Sequence, residues 1–262
     1  MMIENTAPDA IQGMLDPLGD GEFCFECHPG VPCFTECCRD LNLMLTPYDI
    51  VRLKNRLKLE AGVFLERYCS RSFDEQRNLP MLALKMRDDA GRTCPFVSPD
   101  GCALYEDRPA ACRIYPLARA SRVHPVHGTV QEDYFVLHEK HCLGFEEKRD
   151  WSSHEWIQDQ GLELYHELND LWMAIITHPR LRQPPPLGAK QQQMFFLASY
   201  NVDRFREFVL QSRFLRLFNL PAHEEEAVRE SDEALLRLSF RWLNFSLLNQ
   251  PALSLRENAE DR

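Results

Sequence analysis

The sequence predicts a mainly α chain of the α+β kind. A turn-rich cysteine domain with a small antiparallel sheet is followed by a helical C-terminal region. Three observations predict it. Eight of the ten cysteines fall in two dense sets, Cys27, Cys33, Cys37 and Cys38, then Cys94, Cys102, Cys112 and Cys142. Between and after them lie short alternating apolar runs broken by Pro, Gly and Asp-Gly. Beyond Trp151 cysteine disappears, and apolar residues recur at spacings of three and four, the period of a helix. The expected division is a flexible lead-in over 1–22, a cysteine domain over 23–150 and a helical region over 151–262.

Taken in order, residues 1–20 read as a loosely packed lead-in. Phe23 and Phe25 flank Cys24 and can anchor the first cysteine loop to a core. Pro29, Gly30 and Pro32 break any helix in the loop 27–38 and let backbone wrap an ion. Leu41, Leu43 and Leu45 alternate as in a short strand. Thr46-Pro47-Tyr48-Asp49 reads as a helix start: Thr46 caps, Pro47 takes the first helical position, and Asp49 completes a near capping box. Leu45 and Ile50 are placed to staple that turn. The helix runs to about Leu57, and a second covers 60–69 with Phe64, Leu65 and Tyr68 inward. Cys69, without neighbouring thiols, reads as a small core residue.

Residues 81–86 read as a strand and 88–92 as a turn. Asp100-Gly101 would fold Cys94 back toward Cys102, and Arg108-Pro109 begins a short helical turn carrying Cys112. Two strands, 119–127 and 129–138, join at Gly128, and a hairpin would return Cys142 to the other thiols. Residues 151–177 read as one helix. Pro184-Pro185-Pro186 marks a corner, 190–218 reads as a second helix, 224–248 as a third, and the tail after Pro251 as polar and frayed. The aromatic stripe of these helices reads as core.

Composition narrows the function. The chain of 262 residues carries 30 Lys and Arg against 40 Asp and Glu, a net charge of -10. That balance argues against nucleic acid as a partner, because phosphate contacts need clustered cations. The first 21 residues do not read as a secretory signal, and no run of about eighteen apolar residues offers a membrane span. The expected compartment is the cytoplasm, where paired cysteines seldom persist as disulfides.

Clustered thiols there are better read as thiolates for a soft metal, an iron–sulfur cluster or zinc. Eight ligands, Cys27, Cys33, Cys37, Cys38, Cys94, Cys102, Cys112 and Cys142, serve two four-ligand sites or one with spares. Cys24, three residues before Cys27, is a reserve ligand. The adjacent Cys37 and Cys38 point to two nearby metals or a tight local turn. The second Cys-x2-Cys knuckle of common zinc modules is missing, and Cys33-x3-Cys37 followed at once by Cys38 does not fit a radical S-adenosylmethionine motif. Arg108, Arg113 and Tyr115 are candidate neighbours of the bound group, where a guanidinium would offset thiolate charge. His28 and His141 sit beside ligands and stay in reserve; His124, His127 and His138 read as solvated or capping residues.

The Cys37-Cys38 doublet, 45–50 (Leu-Thr-Pro-Tyr-Asp-Ile), Cys94-Pro95-Phe96, Gly101-Cys102, 105–109 (Tyr-Glu-Asp-Arg-Pro), Cys112-Arg113 and Tyr115-Pro116 together resemble the YkgJ-like cysteine-cluster family over about 24–145. That family is described as zinc- or iron-chelating. The resemblance implies ligand roles for Cys33, Cys37, Cys38, Cys94, Cys102 and Cys112, joined by Cys27 and Cys142. The Cys27-x5-Cys33 gap is longer than the family's usual spacing, which leaves Cys24 as an alternative to Cys27. A flagellin lysine N-methylase is similar in its cysteine region, which implies that such a domain can sit in a methyltransferase; the chain has no Gly-x-Gly nucleotide loop. Three functions therefore stand: a metal-cluster protein in redox or iron handling, with the helical region docking a protein partner; a protein-lysine methyltransferase; and a structural zinc scaffold.

Overall fold

The computed structural model describes residues 14–123 and 130–256. His124 and His127 lie outside the described residues. Strands Leu15–Pro17 (β1) and Glu22–Cys24 (β2) precede the first cysteine loop, which closes in a 3-10 turn at Glu36–Cys38. Helices Pro47–Leu57 (α1) and Ala61–Tyr68 (α2) lead to the hairpin Cys69–Asp74 (β3) and Leu79–Leu84 (β4). The hairpin Val97–Ser98 (β5) and Gly101–Cys102 (β6) and helix Ala110–Ile114 (α3) carry the next thiols. Strands Leu117–Val123 (β7), Val130–Leu137 (β8) and Asp150–Ser152 (β9) follow. The remaining helices are Ser153–Asp159 (α4), Glu163–Ile176 (α5), Ala189–Tyr200 (α6), Val202–Gln211 (α7), Phe214–Leu217 (α8), Ala222–Glu230 (α9) and Asp232–Leu248 (α10).

Mainly helical structure with small antiparallel sheets is the fold class that the sequence predicts. Its two compact units are interleaved along the chain. One takes the described residues up to 41 together with 88–105 and 110–164; the other takes 42–87, 106–109 and the described residues from 165. All the cysteines except Cys69 fall in the first.

In the cysteine unit, β1, β8 and β7 form one antiparallel sheet in that order, with Leu15 opposite Leu137 and Leu117 opposite Val136. Thus Leu15–Pro17, within the expected lead-in, is an edge strand. A second ribbon pairs β2 with β9, Phe23 opposite Trp151. The core between them is aromatic. Phe23, Phe25, Leu117, Val136, Trp151 and Trp156 are buried together. The Trp156 ring lies 5.8 Å from Phe23, 5.7 Å from Phe25 and 5.1 Å from Trp151, each edge-on. Both indole N–H groups are satisfied, Trp151 by the Phe25 carbonyl and Trp156 by the Ile114 carbonyl, each at 2.9 Å, so neither ring carries a desolvation penalty. Phe23 and Phe25 are the anchors that the sequence suggested.

In the helical unit, α1 begins as expected. The Thr46 hydroxyl accepts from the Asp49 N–H at 3.3 Å, and the Asp49 carboxylate accepts from the Thr46 N–H at 2.8 Å. Residues 43–45 bridge to β4 through Leu45 N–H to the Leu82 carbonyl and Leu84 N–H to the Leu43 carbonyl. Cys69 is buried, and burial pushes its thiol up to about 12 despite Arg71 nearby. The buried Lys54 ammonium meets Asp203 and Asp232, each at 3.1 Å. Those contacts tie α1 to the starts of α7 and α10.

The three long helices predicted over 151–248 are broken. Between α4 and α5, Gly161 takes a left-handed conformation (φ +57). Asn201 ends α6 and caps α7, its side chain accepting from the Arg204 N–H. Ser231 caps α10 in the same way through the Ala234 N–H. Each break lets a new axis bury an apolar face that one straight helix would leave in water. The tail does not fray at Pro251: Leu253 is buried and Leu255 bridges Phe218. No helix of the described residues is long and apolar enough to cross a membrane.

Candidate metal centre

The thiols are delivered by turns. In the first loop Val31 N–H closes on the His28 carbonyl, Phe34 on Val31, Glu36 on Cys33 and Cys38 on Thr35, at 2.9–3.0 Å. Thr35 adopts a left-handed conformation (φ 71) at the start of the turn that carries Cys37 and Cys38. A short backbone zipper brings the second cysteine segment to this doublet. Cys94 N–H donates to the Cys38 carbonyl at 2.8 Å, Arg39 bridges Thr93, and Asp40 N–H donates to the Arg92 carbonyl.

The hairpin expected at Asp100-Gly101 forms as β5 and β6, closed by Ala103 N–H on the Phe96 carbonyl. Gly101 has φ +109, and a Cβ there would stand 3.0 Å from the Phe34 ring of the first loop. Only glycine meets both demands. The aromatic core sets the other two segments. Phe25 packs 5.8 Å from Tyr115, three residues past Cys112, and 5.4 Å from Phe145, three past Cys142.

Two groups of thiols that share Cys37 link six cysteines electrostatically. Cys38 senses Cys37, Cys94 and Cys112, while Cys142 senses Cys33 and Cys37. A hydrogen bond joins the two thiols of the doublet. A hydrogen bond from Cys38 lowers Cys37 below the ordinary thiol range, against burial and the nearby Glu139 and Glu36. The same bond, then burial, then the charges of Cys37, Cys94 and Cys112 push Cys38 far up.

Sulfur also receives backbone donors. Leu143 N–H points at Cys33 Sγ at 3.1 Å. Burial, with Cys33 and Cys37 nearby, raises Cys142, opposed by the Tyr115 hydroxyl and the Gly144 N–H. Consecutive amides at 143 and 144 thus serve two thiols. Glycine at 144 permits this approach, since a Cβ would lie 2.6 Å from the Glu26 carbonyl oxygen. The Tyr115 hydroxyl is buried and completes no hydrogen bond of ordinary geometry among the described residues. It faces Cys142, and burial first, then that thiol, push its ionisation far up.

Of the remaining sequence candidates, Cys102 is half-buried on β6 and Cys27 is exposed. Cys24 has another occupation: its thiol donates to Asp150 Oδ1 at 2.7 Å, which raises it. Arg113 is buried, and its guanidinium donates to the Gln160 carbonyl beside Gly161. Arg108, also buried, belongs to the helical unit, where its carbonyl accepts from the Tyr165 hydroxyl at 3.3 Å. The neighbouring Asp107 pairs with Arg52 at 2.6 Å. His141 stands 3.6 Å from Glu139, and His138 stands 3.3 Å from Asp16. Sequence reasoning missed the amides of Leu143 and Gly144 as sulfur donors; the Cys-x-Gly at 142–144 was their only trace.

Converging soft donors, clamped amides and no disulfide among the described residues fit a thiolate-bound metal. Residues 26–148 match the family model CxxCxxCC, described as a putative zinc- or iron-chelating domain. Over this segment, just under half of the chain, the sequence is similar to that family. The family name spells Cys-x2-Cys-x2-Cys-Cys, and the chain stretches the gaps to five and three residues, from Cys27 to Cys33 and from Cys33 to Cys37. The match begins after Cys24. No curated protein and no solved structure matches the chain.

Proposed function

We propose that the chain is a cytoplasmic metal-chelating protein that holds iron, as an iron–sulfur cluster, for redox or iron-handling work. The observation that carries the reading is the convergence of Cys33, Cys37, Cys38, Cys94, Cys112 and Cys142. Histidine is missing from that set, which favours an all-thiolate group over mixed zinc coordination. Cys27 and Cys102, on adjoining segments, complete the eight donors. Cys24 is left to Asp150, because a thiol donating to a carboxylate resists ionisation.

When bound, such a cluster supplies a one-electron couple. The protein's own groups then set its surroundings. Leu143 and Gly144 N–H groups donate to sulfur and offset charge, and the Tyr115 hydroxyl finds in ligated Cys142 an acceptor stronger than a thiol. Burial around Cys94 and Phe96 limits water. The helical unit, which exposes Met44, Phe73, Leu171 and Met173, is proposed to dock a protein partner.

The test is iron, zinc and acid-labile sulfide content with a visible absorption spectrum, on protein purified without oxygen. Iron with sulfide and a broad visible absorption supports the reading. Colourless protein with stoichiometric zinc overturns the redox role and leaves the scaffold. Saturable binding of S-adenosylmethionine would instead revive the methyltransferase.

A further inference from the structure

We propose a second cation site, distinct from the thiol centre in its donor atoms, on Glu147 and on Glu26 and His28, which flank Cys27, taking a borderline or hard divalent metal such as Mn2+ or Fe2+. One ligand atom from each of the three lies within 4.8 Å of the other two. His28 Nε2 stands 3.7 Å from Glu147 Oε2. Donors bound at about 2.1 Å to one ion are at most about 4.2 Å apart, so closure asks for small side-chain rotations rather than backbone movement.

The backbone beneath is already fixed. Phe25 N–H donates to the Arg149 carbonyl at 2.9 Å and Glu26 N–H to the Gly144 carbonyl at 3.1 Å, bracketing Glu147. On the other side Gly30 N–H donates to His28 Nδ1 at 3.1 Å and turns Nε2 toward the carboxylates. A Cβ on residue 30 would lie 3.0 Å from that nitrogen, so glycine there keeps the ring in place.

The donor set is two carboxylates and one imidazole, which suits Mn2+, Fe2+ or Zn2+ with water in the remaining positions. Coordination through Nε2 needs its lone pair, so the ring proton sits on Nδ1 instead and the Gly30 bond is given up. The site is therefore a modest binder that holds an exchangeable cation.

The probe is Mn2+ alone, titrated into the full-length protein and followed by its electron paramagnetic resonance signal. Thiolates disfavour Mn2+, so the readout is independent of the cysteine centre and of the function proposed for it. One bound Mn2+ per chain is expected, weakened at least about tenfold in Glu147→Gln and in Glu26→Gln. His28→Gln, which spares both carboxylates, weakens it as well, and the metal content of the thiol centre stays at the parent level in all three. Absence of bound Mn2+, binding that all three variants leave unchanged, or binding lost instead in Cys37→Ser overturns the proposal.

Discussion

Alanine at position 144 tests how the cysteine unit is held together. A Cβ there would stand 2.6 Å from both the Glu26 carbonyl oxygen and Phe25 Cε2, with Cδ2 at 3.1 Å. Ordinary contact begins at 3.4 Å, so the two segments must part by about 0.8 Å, an overpacking of the kind that costs about 1–3 kcal/mol. Neither neighbour can yield easily. Phe25 is 2% exposed and wedged among Tyr115, Phe145 and Trp156. The Glu26 carbonyl cannot retreat without stretching the Glu26 N–H bond to Gly144. Against the cost stands about 0.4–1 kcal/mol gained by restricting the unfolded chain. The net expectation is a loss of about 1–2 kcal/mol, which lowers a urea midpoint by about 0.5–1 M. Metal content should fall too, because the 143 and 144 amides shift away from Cys33 and Cys142. Gly62→Ala is the control. It sits on α2 with its nearest foreign atom 3.8 Å away, and should stabilise by about 0.5 kcal/mol. The assay is urea denaturation of both variants and the parent, purified and kept without oxygen, with metal content measured on each. A Gly144→Ala protein as stable and as metal-rich as the parent would refute the packing argument.

Other expectations follow from single contacts. Asp232→Asn should cost about 2 kcal/mol by loosening Lys54 and Arg206, measured by thermal unfolding. Burial raises the Asp232 carboxyl, but Asn55, Lys54 and Arg206 together hold it below its usual range. Its contribution is therefore complete above about pH 4 and is lost as pH falls through the depressed value, so parent and variant should converge in acid. Thr46→Ala should cost about 1 kcal/mol and leave metal content unchanged, by the same two assays. Cys69 should be alkylated more slowly than Cys24 in native protein, as read by mass spectrometry, because burial covers it and holds it protonated; labelling at the rate of Cys24 would contradict that.

How much was legible depended on how local each signal is. The Thr46-Pro47-Asp49 cap and the Asp100-Gly101 hairpin are written within four residues, and both form as expected. The helix breaks at Gly161, Asn201 and Ser231 were hidden, because apolar spacing runs on across them and only tertiary burial decides the axis. The strand at Leu15–Pro17 was illegible for the same reason: its partner is β8, more than a hundred residues on. At the centre, the residue types named the chemistry, while the amide donors of 143 and 144 belong to backbone that any sequence carries. Glu26, His28 and Glu147 are ordinary surface residues until the ribbon of β2 and β9 brings them together.

The most direct test of the thiolate centre is X-ray absorption at the edge of whichever metal the protein carries when purified without oxygen. The account predicts a first shell of sulfur alone at about 2.3 Å, diminished in Cys37→Ser. A first shell dominated by nitrogen or oxygen at about 2.0–2.1 Å would contradict it.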